Sequence, residues 1–252
     1  MFDLTDLHAH MPSSPEELTA AEVSLDAAYR DGVRAIRYTC RAALGESRAE
    51  SAIFRQLQEH ARQAYPALTL RTGWEILFPD CLGGSPGIER LPTIGGSGVL
   101  QVCFSETIAP QELYRALMTL RTRGYAVLLA HAEEIECLLS RPSLARMLAD
   151  AGVLLEVDAG AVLGEKGLRA RGFCRRMLKE DMIHAIASGE DVSRRPESLL
   201  ARCRHYVARH FGEALAYRLF CYAPASLLGL RDPEDLAAAE QFLTEQGGAL
   251  LL

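Results

Sequence analysis

Short apolar runs alternating with longer segments of helical period restrict the fold of this chain more than any other feature. The runs near 2–7, 33–38, 68–77, 98–103, 126–130, 153–158 and 183–187 have strand length and punctuation. Between them, segments near 15–31, 48–64, 110–123, 142–150 and 165–180 repeat apolar residues with the spacing of amphipathic helices. Pro15, Pro110 and Pro142 sit where a first helical turn accepts proline, and Asp31-Gly32, Gly124 and Gly152 supply stops. Strands joined through helices pair in parallel and must be covered on both faces. The chain therefore reads as α/β, a single domain over residues 1–252 built as a barrel of βα units, with a helical part from about residue 196. The Gly-rich stretch from Pro79 to Gly98 reads as a loop or short hairpin, able to act as a lid over a site.

Composition narrows the function classes. A net charge of −6 argues against a nucleic-acid surface, and Arg169, Arg171, Arg175 and Arg176 read as one solvated helix face. Seven cysteines without a CxxC pair indicate neither a disulfide framework nor a thiolate zinc site, which fits a reducing cytoplasm. No basic leader precedes an apolar stretch, and no segment is long and apolar enough to span a bilayer, so the chain is expected to be soluble. The apolar end Ala249-Leu250-Leu251-Leu252 leaves a homo-oligomer open.

In a βα barrel the chemistry belongs at the C-terminal ends of the strands. His8 and His10 lie at the end of the first strand, two residues apart and so on one side, where two imidazoles can share an ion. Asp6 shares that side and is placed to orient an imidazole. Later strand ends add Arg41, Glu75, Gln101, His131 and Asp158, then the turn Ser188-Gly189-Glu190-Asp191. His60, His205 and His210 fall on helices and read as surface residues, and His184 reads as a hydrogen-bonded core residue.

These residues resemble the polymerase and histidinol phosphatase (PHP) superfamily, and within it the CpsB-type tyrosine phosphatases of capsule and exopolysaccharide synthesis. The resemblance runs from Asp6-Leu7-His8-Ala9-His10 to the segment ending at Gly229, and is most specific over Gly152 to Gly164 and Ile183 to Ser188. It implies a distorted (β/α)7 barrel, and hydrolysis of phosphate monoesters by water activated on two or three Mn, Fe, Mg or Zn ions. His8, His10, Glu75 and His131 stand at ligand positions of the family pattern. Arg195 stands at a phosphate-contacting arginine. Several positions depart from the pattern. Ser13-Ser14-Pro15 replaces an acidic turn, Arg41 replaces a histidine, and Gln101 a glutamate. Gly189-Glu190-Asp191 displaces an Asp-Ala-His run, and Glu134 stands in place of an arginine.

Three adjacent divalent ions need several anionic ligands, so the loss of carboxylates points to fewer than three ions. Glu190 or Asp191 would supply a replacement carboxylate. Arg41 either binds phosphate with its forked donors or salt-bridges Glu75 or Glu190. Gln101 and Asp158 are placed to support the ligands from behind. Two readings of function follow. One is a metal-dependent phosphoesterase acting on a phosphorylated small molecule or phosphotyrosine protein. The other is a pseudoenzyme of the same fold, without metal, that binds a phospho-ligand or a partner protein.

Overall fold

The computed structural model describes residues 3–42, 52–77, 91–189, 197–230 and 241–245. Among these residues, seven parallel strands form one sheet in chain order. They are β1 (Leu4–His10), β2 (Val33–Ala42), β3 (Thr69–Leu77), β4 (Val99–Cys103), β5 (Ala126–Leu129), β6 (Val153–Asp158) and β7 (Ala185–Ala187). The sheet curls until its edges meet. Ala9 bridges Gly189 in parallel, Gly189 N–H donates to the His8 carbonyl at 3.1 Å, and Asp6 accepts from the Ser188 N–H at 3.0 Å. The expected (β/α)7 barrel is the fold observed.

The helices that cover the outside follow the expected segments closely. They are α1 (Pro15–Arg30), α2 (Ala52–Ala64), α3 (Pro110–Thr122), α4 (Glu136–Ser140), α5 (Pro142–Asp150), α6 (Ala159–Leu163) and α7 (Leu168–Lys179). Beyond them come α8 (Leu199–Phe211), α9 (Glu213–Tyr217), a π-helical turn at 218–222, and α10 (Ala223–Leu227). The main apolar core lies between the outer face of the sheet and these helices, where Leu100, Val102, Val127, Leu129, Leu155, Val157 and Ile186 meet Phe54, Leu117, Leu148 and Phe173. Strand residues of the opposite parity turn inward. There Leu7, Val99, Leu128 and Ala185 pack with Ile94, Leu227 and Leu228 as a smaller apolar cluster.

The first strand is longer than the apolar run suggested, because it continues through both histidines. It also carries a register shift. Asp6 pairs with Ile36 and Ala9 with Tyr38, so β1 spends one residue more than β2 over that interval. The extra residue breaks strict alternation and gives two consecutive side chains to the interior, Leu7 to the apolar cluster and His8 to the polar layer beside it.

The expected helix over 165–180 is observed with a later start. The chain turns through Gly164 and Gly167, at φ 96° and 95°, and the long helix begins only at Leu168. Positive φ suits glycine, so the pair stops one helix and delays the next. Part of the expected 79–98 loop, and Glu190, Asp191, Arg195 and 249–252, lie outside the described residues.

Candidate metal centre

The polar layer is assembled by register. Strands β2 and β3 pair without interruption from Ala35 opposite Thr69 to Ala42 opposite Ile76, which sets Arg41 beside Glu75. Arg41 Nε donates to Glu75 Oε2 at 3.0 Å, which forms the expected salt bridge. His131 follows β5 in the left-handed region, at φ 51°, and its Nε2 lies 3.2 Å from Glu75 Oε1. His8 Nε2 lies 3.9 Å from Glu75 Oε2. His8, His10, Glu75 and His131 each place a ligand atom within 4.8 Å of the others, with the His8 and His10 rings stacked at 5.2 Å.

His8 is held from behind by a network. Its Nδ1 is 2.6 Å from Glu156 Oε1, and Gln101 Nε2 donates to both oxygens of Glu156 at 3.1 Å. Arg37 donates to Gln101 Oε1, fixing the amide so that its NH2 faces Glu156. A carboxylate so close to Nδ1 places the proton there and leaves the Nε2 lone pair facing Glu75. Arg37 is buried, also donating to the carbonyls of Leu7 and Trp74 at 3.2 and 3.0 Å. Its guanidinium needs the space over Gly73, where a Cβ would lie 2.1 Å from Arg37 Nε.

His131 is flanked on both sides. Its Nδ1 lies 3.2 Å from Asp158 Oδ1, and Asp158 Oδ2 pairs with Lys166. Burial disfavours the His131 imidazolium, yet the Asp158 and Glu75 carboxylates outweigh it and push the group up to about 12. Burial likewise works to raise Glu75, but His131, His8 and Arg41 hold its carboxyl well below the usual range. Burial and the neighbouring Asp158 push Glu133 up to about 8.

Gly189 stands where the family pattern has an aspartate, and the structure shows why no side chain fits. A Cβ there would lie 2.5 Å from the Asp158 carboxylate, which fills that space from β6. Asp6 accepts from the backbone of His8 and Ser188 at 3.3 and 3.0 Å, so its direct partners are the seam of the barrel rather than an imidazole. Glu156, Arg37, Lys166 and Glu133 were not singled out from sequence. The available signal for Glu156 is its place two residues before Asp158, a second acid of the same parity in an otherwise apolar strand.

These residues fit a metal ion. His8 Nε2, Glu75 Oε1 and His131 Nε2 are buried and lack an aligned hydrogen bond, so three atoms of ligand type converge without satisfying one another. Nitrogen and oxygen donors of this kind suit a borderline divalent ion such as zinc or manganese.

A parallel barrel with imidazoles and a carboxylate converging at its strand ends defines a protein of the metallohydrolase type. A family model described as "Capsular polysaccharide synthesis, CpsB/CapC" matches residues 4–229, and the chain belongs to this family. It is 24% identical over 243 residues to the tyrosine-protein phosphatase CpsB of Streptococcus pneumoniae, covering 89% of this chain and 98% of that one. With the tyrosine-protein phosphatase YwqE of Bacillus subtilis it shares 22% over 224 residues, covering 86% and 88%. A crystal structure from work on YwqE and CpsB, described as unique metal-dependent tyrosine phosphatases, superposes with a TM-score of 0.73 at 22% identity, covering 91% of this chain and 96% of that one. Among the described residues no helix is long and apolar enough to cross a membrane.

Proposed function

We propose that this chain is a metal-dependent phosphatase of phosphotyrosine proteins that acts in the cytoplasm with fewer than three ions. The observation that carries the reading is the convergence of His8 Nε2, Glu75 Oε1 and His131 Nε2 as buried, unsatisfied donors. The activity named for CpsB and YwqE supports it over a pseudoenzyme. His8, His10, Glu75 and His131 would hold the ion. A divalent ion bound there supplies Lewis-acid polarisation of a phosphoryl oxygen and lowers the pKa of water.

The remaining work falls to the chain's own side chains. Glu156 keeps the His8 proton on Nδ1, and Asp158 holds the His131 ring between itself and Glu75. Arg41, 42% exposed and anchored through Nε on Glu75, presents a cation to an incoming phosphate. Arg195 is proposed as a second phosphate contact and Glu190 or Asp191 as a further ligand, all from the family pattern.

The test is His8→Ala, with metal content by elemental analysis and hydrolysis of p-nitrophenyl phosphate followed on the same sample before and after added manganese. Loss of bound metal together with turnover is expected. Unchanged metal content would remove this site assignment, and no turnover in the unsubstituted protein with excess manganese would overturn the activity.

A further inference from the structure

Beside the first group, the described residues bring together a second set of metal-type side chains. His131, Glu133, Glu134 and Asp158 each offer one ligand atom within 4.8 Å of the others. Acidic side chains alone specify no ligand. Here, however, Glu133 and Asp158 are buried, and Glu133 Oε2 has no hydrogen-bond partner. With Asp158 held ionised among them, a buried group of this kind calls for a positive charge. The fold supplies one. Lys166 Nζ pairs with Asp158 Oδ2, lies 2.5 Å from Glu134 Oε1 and 3.9 Å from Glu133 Oε1.

We infer that the Lys166 ammonium is the resident cation of this second group, so that the chain binds one divalent ion and accepts another only when Lys166 is replaced. The inference rests on the proposed ion at the first group. Three features of the geometry carry it. The ammonium stands among oxygens of three carboxylates, as a shared ion would. Its position is built rather than incidental, because the Gly164 and Gly167 turn at positive φ, closed by Gly167 N–H on the Gly164 carbonyl at 3.2 Å, delivers Lys166 to the cluster. Finally, His131 is shared by the two groups, Nε2 towards Glu75 and Nδ1 towards Asp158. A neutral imidazole offers a single lone pair, so it serves one ion at a time. An added divalent ion among the same carboxylates would be repelled by the ammonium at contact range.

The experiment counts ions. Full-length protein stripped with chelator is titrated calorimetrically with Mn2+ to several equivalents, and the retained metal is measured after dialysis. Lys166→Ala, Lys166→Met and the charge-retaining Lys166→Arg are treated alike, with circular dichroism and melting as controls of folding. One ion per chain is expected in the unsubstituted protein and in Lys166→Arg, and two in the neutral variants. A second equivalent bound by the unsubstituted protein overturns the inference without reference to any variant. So does no added ion in a neutral variant that folds. If the unsubstituted protein holds none and a neutral variant gains one, the single resident ion and the first group's assignment fall while Lys166 keeps its place as the cation of the second group; none in either overturns both.

Discussion

A carboxylate 2.6 Å from an imidazole nitrogen decides which side of the ring is free to ligate, and Glu156 does this for His8. Glu156→Gln keeps the shape and removes the charge. It is expected to weaken zinc or manganese binding 10- to 100-fold, on the order seen when such supporting partners are lost, with the far-UV spectrum unchanged. Competition against a chromogenic chelator would measure this, and unaltered affinity would show that Glu156 only fills space. At this scale the sequence was partly readable. His8, His10, Glu75 and His131 could be picked out by residue type and strand position, and the structure brings them together. Glu156 and Lys166 could not, because their partners lie 148 residues away in one case and across a turn hidden inside an expected helix in the other.

Helix ends show how local chemistry sets the elements that carry the site. Ser198 caps α8 by accepting from the Ala201 N–H at 3.3 Å, while its own N–H donates to Asp31 Oδ2 at 2.7 Å. The cap ties the chain that follows β7 back to the end of α1. Ser198→Ala is expected to cost about 1 kcal/mol, seen as a lower denaturation midpoint with an unchanged slope. A loss of several kcal/mol would mean that more than the cap depends on the hydroxyl. Strand positions were legible because apolar runs bounded by turn residues are a local signal. The five-residue helices α4 and α6 were not, since barely more than one turn is too short to show a repeat. The later start of α7 depends on the positive φ of Gly167, a backbone setting that residue spacing does not show.

Across the whole molecule, β7 closes the barrel with three residues, and His184 just before it extends the grip on β6. Its N–H donates to the Leu155 carbonyl at 2.9 Å, and its Nδ1 accepts from the Leu155 N–H at 3.1 Å. Burial, with Arg218 nearby, pushes His184 down to about 4, against 6.5 for the free imidazole. Because the folded value is the lower one, this contribution is complete above pH 6.5 and is lost as pH falls towards 4. The loss reaches at most about 3 kcal/mol, less the solvent screening of a half-buried ring. Melting of His184→Gln beside the unsubstituted protein from pH 7 to pH 4 would show the gap between them shrinking with acid; a constant gap would exclude His184 as the cause. By itself the amino-acid order determined the class of fold, the succession of strands and helices, and the residue types available at the strand ends, because hydrophobic period is a property of neighbours along the chain. Only the tertiary structure decided which of those residues meet. The register of β2 on β3 sets Arg41 against Glu75, the extra residue in β1 turns His8 inward, and closure of β7 on β1 leaves Asp158 the space at Gly189. Register and closure are fixed by packing across the whole barrel, which no local stretch of sequence encodes.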